Sequence, residues 1–175
     1  CLSSYDSGFL DVGDGHKIYY EQYGNPNGIP ILFLHGGPGA GFSNSHKSFF
    51  DSQAFRVIFF DQRGSGRSVP YAEIKNNNTD SLILDIDKLR KSLNIDQWYL
   101  FGGSWGSTLA IMYGIKFPKK CLGFILRGIF LGSASEIDWF LYDINKFFPE
   151  AYKKFISYVP KSYQKNILNW FHLQL

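Results

Sequence analysis

A serine held between glycines is the feature of this sequence with the clearest chemical potential. Residues 102–106 read GGSWG, fit the pattern G-x-S-x-G, and directly follow the apolar run WYLF. On a tight turn from strand to helix, side chains at the flanking positions would clash, so small residues are needed there. The hydroxyl then projects at a helix N-terminus, which favours negative charge. In a chain of this length, the pattern G-x-S-x-G arises by chance on the order of one time in ten or twenty, so the pattern alone is weak evidence. Its position after a strand and before a helix is the context that the motif requires, and this position supports Ser104 as a nucleophile.

A second glycine-rich loop follows another apolar run and reads HGGPGAG over residues 35–41. Such a loop can direct backbone N–H groups at the oxyanion that acyl transfer creates. We assign one donor to the amide of Gly37 and the other to the amide of Trp105, directly after the serine. The alternatives are a plain tight turn or a phosphate cradle, but the loop lacks G-K-[ST] and G-x-G-x-x-G spacing. His35 is interpreted as a support for the loop, because a catalytic histidine follows the serine in this type of site.

A third loop, DQRGSGRS over residues 61–68, carries charges of both signs around two glycines. We interpret it as a structural turn in which Asp61 and the arginines form an ion-paired network. Cys121 begins an apolar run and is interpreted as an inert thiol in a buried strand.

Short apolar runs alternate with helix-like segments over most of the sequence, which predicts an α/β fold with a mostly parallel sheet and helices on both faces. The runs typical of buried strands are residues 31–34, 57–60, 98–101 and 122–126. Each glycine-rich loop directly follows such a run, and so belongs at the carboxyl edge of the sheet, where α/β proteins place their sites. Aromatic, helix-like sequence begins near residue 132. We therefore expect core over residues 1–132 and the beginning of a helical cap over 133–175.

The remaining elements follow from local patterns. Leucine and isoleucine at helical spacing predict a helix over 80–93, with Thr79 or Asp80 as its N-cap. Residues 105–117 are interpreted as a second helix, ended by Pro118. The β-rich runs 7–12 and 17–23 flank a Gly-Asp-Gly turn and predict an antiparallel hairpin.

Composition excludes several classes of function. Of the 175 residues, 45% are hydrophobic and 19% charged, with a net charge of +3. Such a balance is globular and gives no case for nucleic acid or anionic lipid as a partner. Two cysteines and four scattered histidines show no metal-ligand spacing. No apolar run approaches the length of a membrane span and no secretory signal is visible, so we expect a cytoplasmic protein without metal or cofactor.

The motifs HGGPGAG, DQRGSGRS, GGSWGSTLA and LRGIF, in this order, resemble those of the proline iminopeptidase family of α/β-hydrolases, as does the opening segment 5–28. The resemblance implies the α/β-hydrolase fold and a cofactor-free Ser-Asp-His triad that releases N-terminal proline from peptides. It implies Ser104 as the nucleophile, the amides of Gly37 and Trp105 as the oxyanion hole, and Phe130 as a residue lining the proline pocket.

The sequence departs from the family in the region after the nucleophile. In the family, the triad acid and histidine lie beyond the cap, whereas the candidates here all lie within the cap-like region: Glu136, Asp138, Asp143, Glu150 and His172. A full hydrolase domain with its cap needs roughly 300 residues. We therefore expect this chain to be the N-terminal half of such a domain and inactive alone, since serine without a base is a poor nucleophile. Two alternatives stay open, namely another esterase or amidase of the same fold, and an inactive truncated remnant.

Overall fold

The computed structural model describes residues 3–37, 39–129 and 160–164. Six strands are present in this part of the chain: β1 (Asp6–Gly13), β2 (His16–Gly24), β3 (Ile29–Leu34), β4 (Phe55–Phe60), β5 (Trp98–Ser104) and β6 (Cys121–Ile129). The helices are α1 (Thr79–Ser92), α2 (Trp105–Lys116) and short 3₁₀ helices at Asn44–Phe49, Pro118–Lys120 and Lys161–Tyr163. The chain divides into two compact units, Cys1–Phe130 and Leu131–Leu175. The boundary near residue 132 and the helical cap stay predictions.

The six strands form one mixed sheet in the order β1-β2-β4-β3-β5-β6. β3 is parallel to both β4 and β5, and β5 is parallel to β6. β1 and β2 pair antiparallel, which confirms the predicted hairpin, and β2 joins the sheet antiparallel to β4. The parallel strands therefore bring the loops after β3, β4 and β5 to the same edge of the sheet.

Alternate residues of the strands pack into two separate hydrophobic clusters, one on each face of the sheet. Leu32 and Leu34 face a cluster that also holds the apolar stripes of α1 and α2. Ile31 and Phe33 face an aromatic cluster that includes Phe42. Among the described residues, the α-helices thus cover one face, while the other is packed by aromatic side chains and the 3₁₀ segment that follows β3. The segment after β3 is rich in glycine and serine, which disfavour a long α-helix.

The predicted helices are confirmed, with one correction at a cap. Asn78, and not Thr79 or Asp80, is the N-cap of α1, since its side chain accepts a hydrogen bond from the Ser81 amide at 2.9 Å. Asparagine caps at least as well as threonine, and three asparagines in a row leave the cap position ambiguous in sequence. α2 ends at Lys116, just before Pro118.

The prediction of a buried strand over residues 122–126 is wrong for the described part of the chain. β6 is the last strand of the sheet, and its side chains Leu122, Phe124 and Ile125 are 43–46% exposed. Cys121 is half-buried and not in the core, although burial still raises the pKa of its thiol. An apolar run has the same composition whether or not another element covers it, so sequence alone does not separate the two cases.

None of the helices among the described residues is long and apolar enough to cross a bilayer. The same residues hold no cluster of side chains suited to bind a metal ion.

The loop after β4 is held by one fully buried ion pair, Arg63–Asp85, and by a second pair in which Asp61 is buried and Arg67 is partly exposed, which confirms the predicted network. Arg63 makes a bidentate contact with Asp85 of α1, with Nε and Nη2 at 2.7 and 2.8 Å from the two carboxylate oxygens. The Asp61 carboxylate accepts hydrogen bonds from the Phe42 amide and from the amide and Nε of Arg67, at 2.8–2.9 Å. Hydrogen bonding to Asp85 raises the pKa of Arg63, which stays charged. The loop is thereby fixed to α1 on one side and to the chain after β3 on the other.

Replacing one partner of the Arg63–Asp85 pair tests this anchoring. Asp85 is 0% exposed, so Asp85→Asn removes the buried counter-ion of Arg63 and leaves only the exposed Asp14 carboxylate at 3.3 Å. The substitution should lower the free energy of unfolding by about 3–5 kcal/mol. The matched control is Asp96→Asn, because Asp96 is 85% exposed in its pair with Lys120 and its loss should cost about 0–1 kcal/mol. Urea unfolding followed by circular dichroism measures both, and equal losses would contradict the assignment.

Candidate active site

Ser104 occupies a sharp corner at the end of β5, where it is both the last residue of the strand and the N-cap of α2. Its backbone angles are φ 55° and ψ −119°, in a region that non-glycine residues rarely adopt. The residue is exposed, whereas Gly102 and Gly106 on either side are buried. A strained, exposed serine at a helix N-terminus is the geometry that a nucleophile on a strand-to-helix turn requires.

The flanking glycines leave no room for side chains. A Cβ on Gly106 would lie 2.1 Å from the Leu34 carbonyl oxygen, and one on Gly102 would lie 2.4 Å from the Gly106 carbonyl oxygen. Both obstacles are backbone atoms, which do not move aside as a flexible side chain would. At Gly103, in contrast, the nearest atom to a Cβ is the Arg127 carbonyl oxygen at 3.9 Å. The motif thus needs glycine at 102 and 106 for packing, and tolerates variation at 103.

The glycine-rich loop after β3 passes directly beside the serine. A Cβ on Gly36 would lie 3.4 Å from Ser104 Cβ and 4.0 Å from its Oγ. Gly37 is exposed with a φ of 125°, and a Cβ there would lie 2.6 Å from the Gly39 nitrogen. The fold therefore brings together Ser104, its neighbour Trp105, and the loop that contains Gly37. Phe130, predicted to line the proline pocket, lies outside the described residues.

His35 supports this loop, as predicted. The residue is 1% exposed, and both of its ring nitrogens are used. Nε2 accepts a hydrogen bond from the Gln62 amide at 3.0 Å, so the ring proton lies on Nδ1, which donates to the Gly36 carbonyl at 2.8 Å. Burial lowers the pKa of His35 and keeps the ring neutral.

Comparison with known proteins agrees with the geometry. The sequence model of the α/β hydrolase fold matches residues 29–166. The chain is 47% identical over 175 residues to a probable proline iminopeptidase of Leptolyngbya boryana, with 99% of this chain and 54% of that protein aligned. It is 44% identical over 176 residues to a proline iminopeptidase of Arabidopsis thaliana, with 99% of this chain and 46% of that protein aligned. The chain belongs to the proline iminopeptidase family of α/β-hydrolases.

Solved structures show the same fold. A proline iminopeptidase-related protein from Thermus thermophilus superposes with a TM-score of 0.61 and 31% identity, over 69% of this chain and 43% of that one. An epoxide hydrolase from Vigna radiata superposes with a TM-score of 0.65 and 23% identity, over 83% of this chain and 48% of that one; at that identity the likeness concerns the fold alone. The chain spans about half the length of the curated family members it matches.

One residue of the site was missed by the sequence analysis, which treated the loop after β4 as purely structural. Gln62 is 2% exposed, and its Oε1 accepts a hydrogen bond from the indole N–H of Trp105 at 3.1 Å. Its Nε2 donates to the His35 carbonyl at 3.1 Å. The sequence did offer one signal for Gln62. The motif DQRG directly follows a strand, and so lies at the same sheet edge as the other two loops.

No general base for Ser104 is found within residues 3–37, 39–129 and 160–164. His35 uses both ring nitrogens in the loop, and His16 and His46 contact the Lys75 carbonyl and the Ser43 amide, respectively. The described part of this family member therefore combines a candidate nucleophile with candidate oxyanion donors.

The corner at Ser104 can be tested with two alanine substitutions in one motif. Gly106→Ala forces a Cβ onto the Leu34 carbonyl and should cost about 1–3 kcal/mol or more in the free energy of unfolding. Gly103→Ala meets only the Arg127 carbonyl oxygen, at an ordinary contact distance of 3.9 Å, and should change the free energy of unfolding by less than about 0.5 kcal/mol. Urea titration compares the two variants, and comparable stabilities would refute the proposed close packing of α2 against β3.

The neutral state of His35 makes stability depend on pH. Its pKa is lowered in the fold by burial, so the unfolded chain takes up a proton below about pH 6.5 more readily than the folded chain does. The stabilisation is therefore complete above about pH 6.5 and is lost as the pH falls towards the lowered folded-state pKa. We expect the urea concentration at the midpoint of unfolding to decrease when the pH is lowered from 7.5 to 5.5, and to decrease less in His35→Gln. An identical pH slope in that variant would show that other groups cause the dependence.

Proposed function

We propose that this chain provides the nucleophile and the oxyanion hole of a serine aminopeptidase that releases proline from the N-terminus of peptides. The observation that carries the proposal is the strained, exposed Ser104 at a glycine-packed corner, beside the loop of Gly36 and Gly37. The relatives named as proline iminopeptidases support the choice of substrate class.

In the proposed reaction, Ser104 Oγ attacks the carbonyl carbon of the N-terminal proline. The carbonyl π electrons move to the oxygen, which becomes an oxyanion held by the amides of Gly37 and Trp105. Loss of one such donor typically raises the barrier by about 2.7–4 kcal/mol. The carbon–nitrogen bond then breaks, and the leaving amine takes up the proton that the serine released. Water hydrolyses the resulting prolyl ester, which frees proline and restores the hydroxyl.

The proton transfers in this scheme need a general base. A serine hydroxyl is a weak nucleophile at neutral pH unless a neighbouring base removes its proton. We propose that a histidine and an acid outside the described residues serve this purpose, in the Ser-Asp-His arrangement of the family. The reaction requires no metal or cofactor, because protein groups carry each proton and each charge.

Further parts of the assignment stay predictions. Phe130 is proposed to contact the proline ring, and residues 133–175 are proposed to begin a helical cap domain. A cytoplasmic location likewise stays a prediction.

The nucleophile and the substrate class are tested together by two chromogenic substrates, prolyl-p-nitroanilide and p-nitrophenyl acetate. The assay uses a protein in which this chain is joined to the proposed histidine and acid, because the chain alone is expected to be inactive. We expect hydrolysis of the prolyl amide to exceed that of the ester in kcat/KM, and Ser104→Ala to reduce both rates to the uncatalysed background. A preference for the ester would favour the esterase alternative. Background rates in that protein with Ser104 intact would favour the inactive remnant, and full activity in Ser104→Ala would exclude Ser104 as the nucleophile.

A further inference from the structure

Gln62 lies at the junction of the two segments that carry the proposed oxyanion donors. Its side-chain Oε1 accepts from the indole of Trp105, while its Nε2 donates to the carbonyl of His35, each at 3.1 Å. Its backbone amide donates to His35 Nε2 at 3.0 Å. One buried residue is therefore bonded to the first residue of α2 and, by two bonds, to the residue that precedes Gly36 and Gly37.

The backbone on which Gln62 stands is fixed from both sides. Asp61 before it accepts a hydrogen bond from the Phe42 amide at 2.8 Å, at the far end of the glycine-rich loop. Arg63 after it is paired with Asp85 of α1, and both side chains are at most 1% exposed. Arg63 cannot move without breaking a buried ion pair, and Asp61 cannot move without breaking the hydrogen bonds that its buried carboxylate accepts. The backbone of Gln62 is therefore held in place on both sides.

The chemistry of the two contacts explains why an amide side chain stands at this position. The Trp105 indole only donates a hydrogen bond, and the His35 carbonyl only accepts one. A bridging side chain must therefore accept at one end and donate at the other, as glutamine does. A carboxylate of the same size accepts at both ends, and leucine does neither. Since all three groups are largely or fully buried, an unsatisfied end is costly.

We propose that Gln62 is a positioning residue that fixes the distance between the amides of Gly37 and Trp105, and so the width of the oxyanion hole. The inference rests on the proposed function. Gln62 acts on one donor through the Trp105 indole and on the other through His35, and it touches neither substrate nor nucleophile. Its loss should weaken binding of a tetrahedral, negatively charged adduct far more than binding of a planar ligand, because only the adduct occupies the oxyanion hole.

The test compares two ligands on the protein in which this chain is joined to the proposed histidine and acid. Pyrrolidine-2-boronic acid forms a tetrahedral boronate on a serine oxygen, which boron-11 NMR detects, whereas prolinamide binds without forming a bond. In Gln62→Leu we expect boronate affinity to fall about 10- to 100-fold and prolinamide affinity to change less than about 2-fold. Gln97→Leu is the matched control, since Gln97 is exposed and bonds only the Lys119 carbonyl among its described partners; it should leave both affinities unchanged.

Two further variants separate the arms of the bridge. Gln62→Glu keeps an acceptor for the Trp105 indole and loses the donor to His35, so its boronate affinity should lie between those of the unchanged chain and Gln62→Leu. Trp105→Phe removes the indole N–H but keeps the backbone amide. In the double variant with Gln62→Leu, the fold-loss of boronate affinity should be smaller than the product of the two single fold-losses. The reason is that both substitutions remove the same hydrogen bond between Trp105 and Gln62.

The outcomes distinguish the inference from the function on which it rests. No tetrahedral adduct in the unchanged chain, or the same adduct in Ser104→Ala, would overturn the proposed function and the inference with it. An adduct of unchanged affinity in Gln62→Leu would overturn the inference alone. So would an equal loss for both ligands, because a general loss of structure affects planar and tetrahedral ligands alike. A loss confined to the boronate supports it.

Discussion

The contact on which the site depends is the approach of Gly106 to the carbonyl of Leu34, where no Cβ would fit. This contact lets α2 begin directly against the end of β3, and the chain must therefore turn from β5 into α2 within one residue. Ser104 is that residue, and its positive φ is the consequence. The strain is sustained because the surrounding backbone leaves no relaxed alternative.

A second constraint acts at the same sheet edge. The ion pairs of Asp61 and Arg63 hold the loop after β4 in a buried position where charged groups are costly unless fully paired. Between them, Gln62 reaches the segments on either side of the serine. The loops after the three parallel strands are thus connected by hydrogen bonds. Ser104 lies at their exposed surface, and the ion-paired residues Asp61 and Arg63 lie in the interior.

The strands and α-helices were predicted from the sequence more accurately than the burial of their side chains. Apolar runs and the capping and proline signals located the strands and both helices, because these signals act over a few neighbouring residues. The exposure of β6 was not predictable in this way, since its apolar residues look the same whether covered or not. The N-cap of α1 was misplaced because Asn78 and its neighbours offer several equivalent caps.

Local sequence is enough to locate the reactive corner, because glycine at 102 and 106 with serine between them, after a strand and before a helix, is a recognisable pattern. The contact that requires glycine at 106, with the carbonyl of Leu34 on β3, belongs to the tertiary structure. The supports that hold the corner in place also depend on the three-dimensional fold. The contacts of Gln62 to Trp105 and His35 span 43 and 27 positions of the chain, and such distances are set by the pairing of parallel strands, which no local pattern of residues encodes.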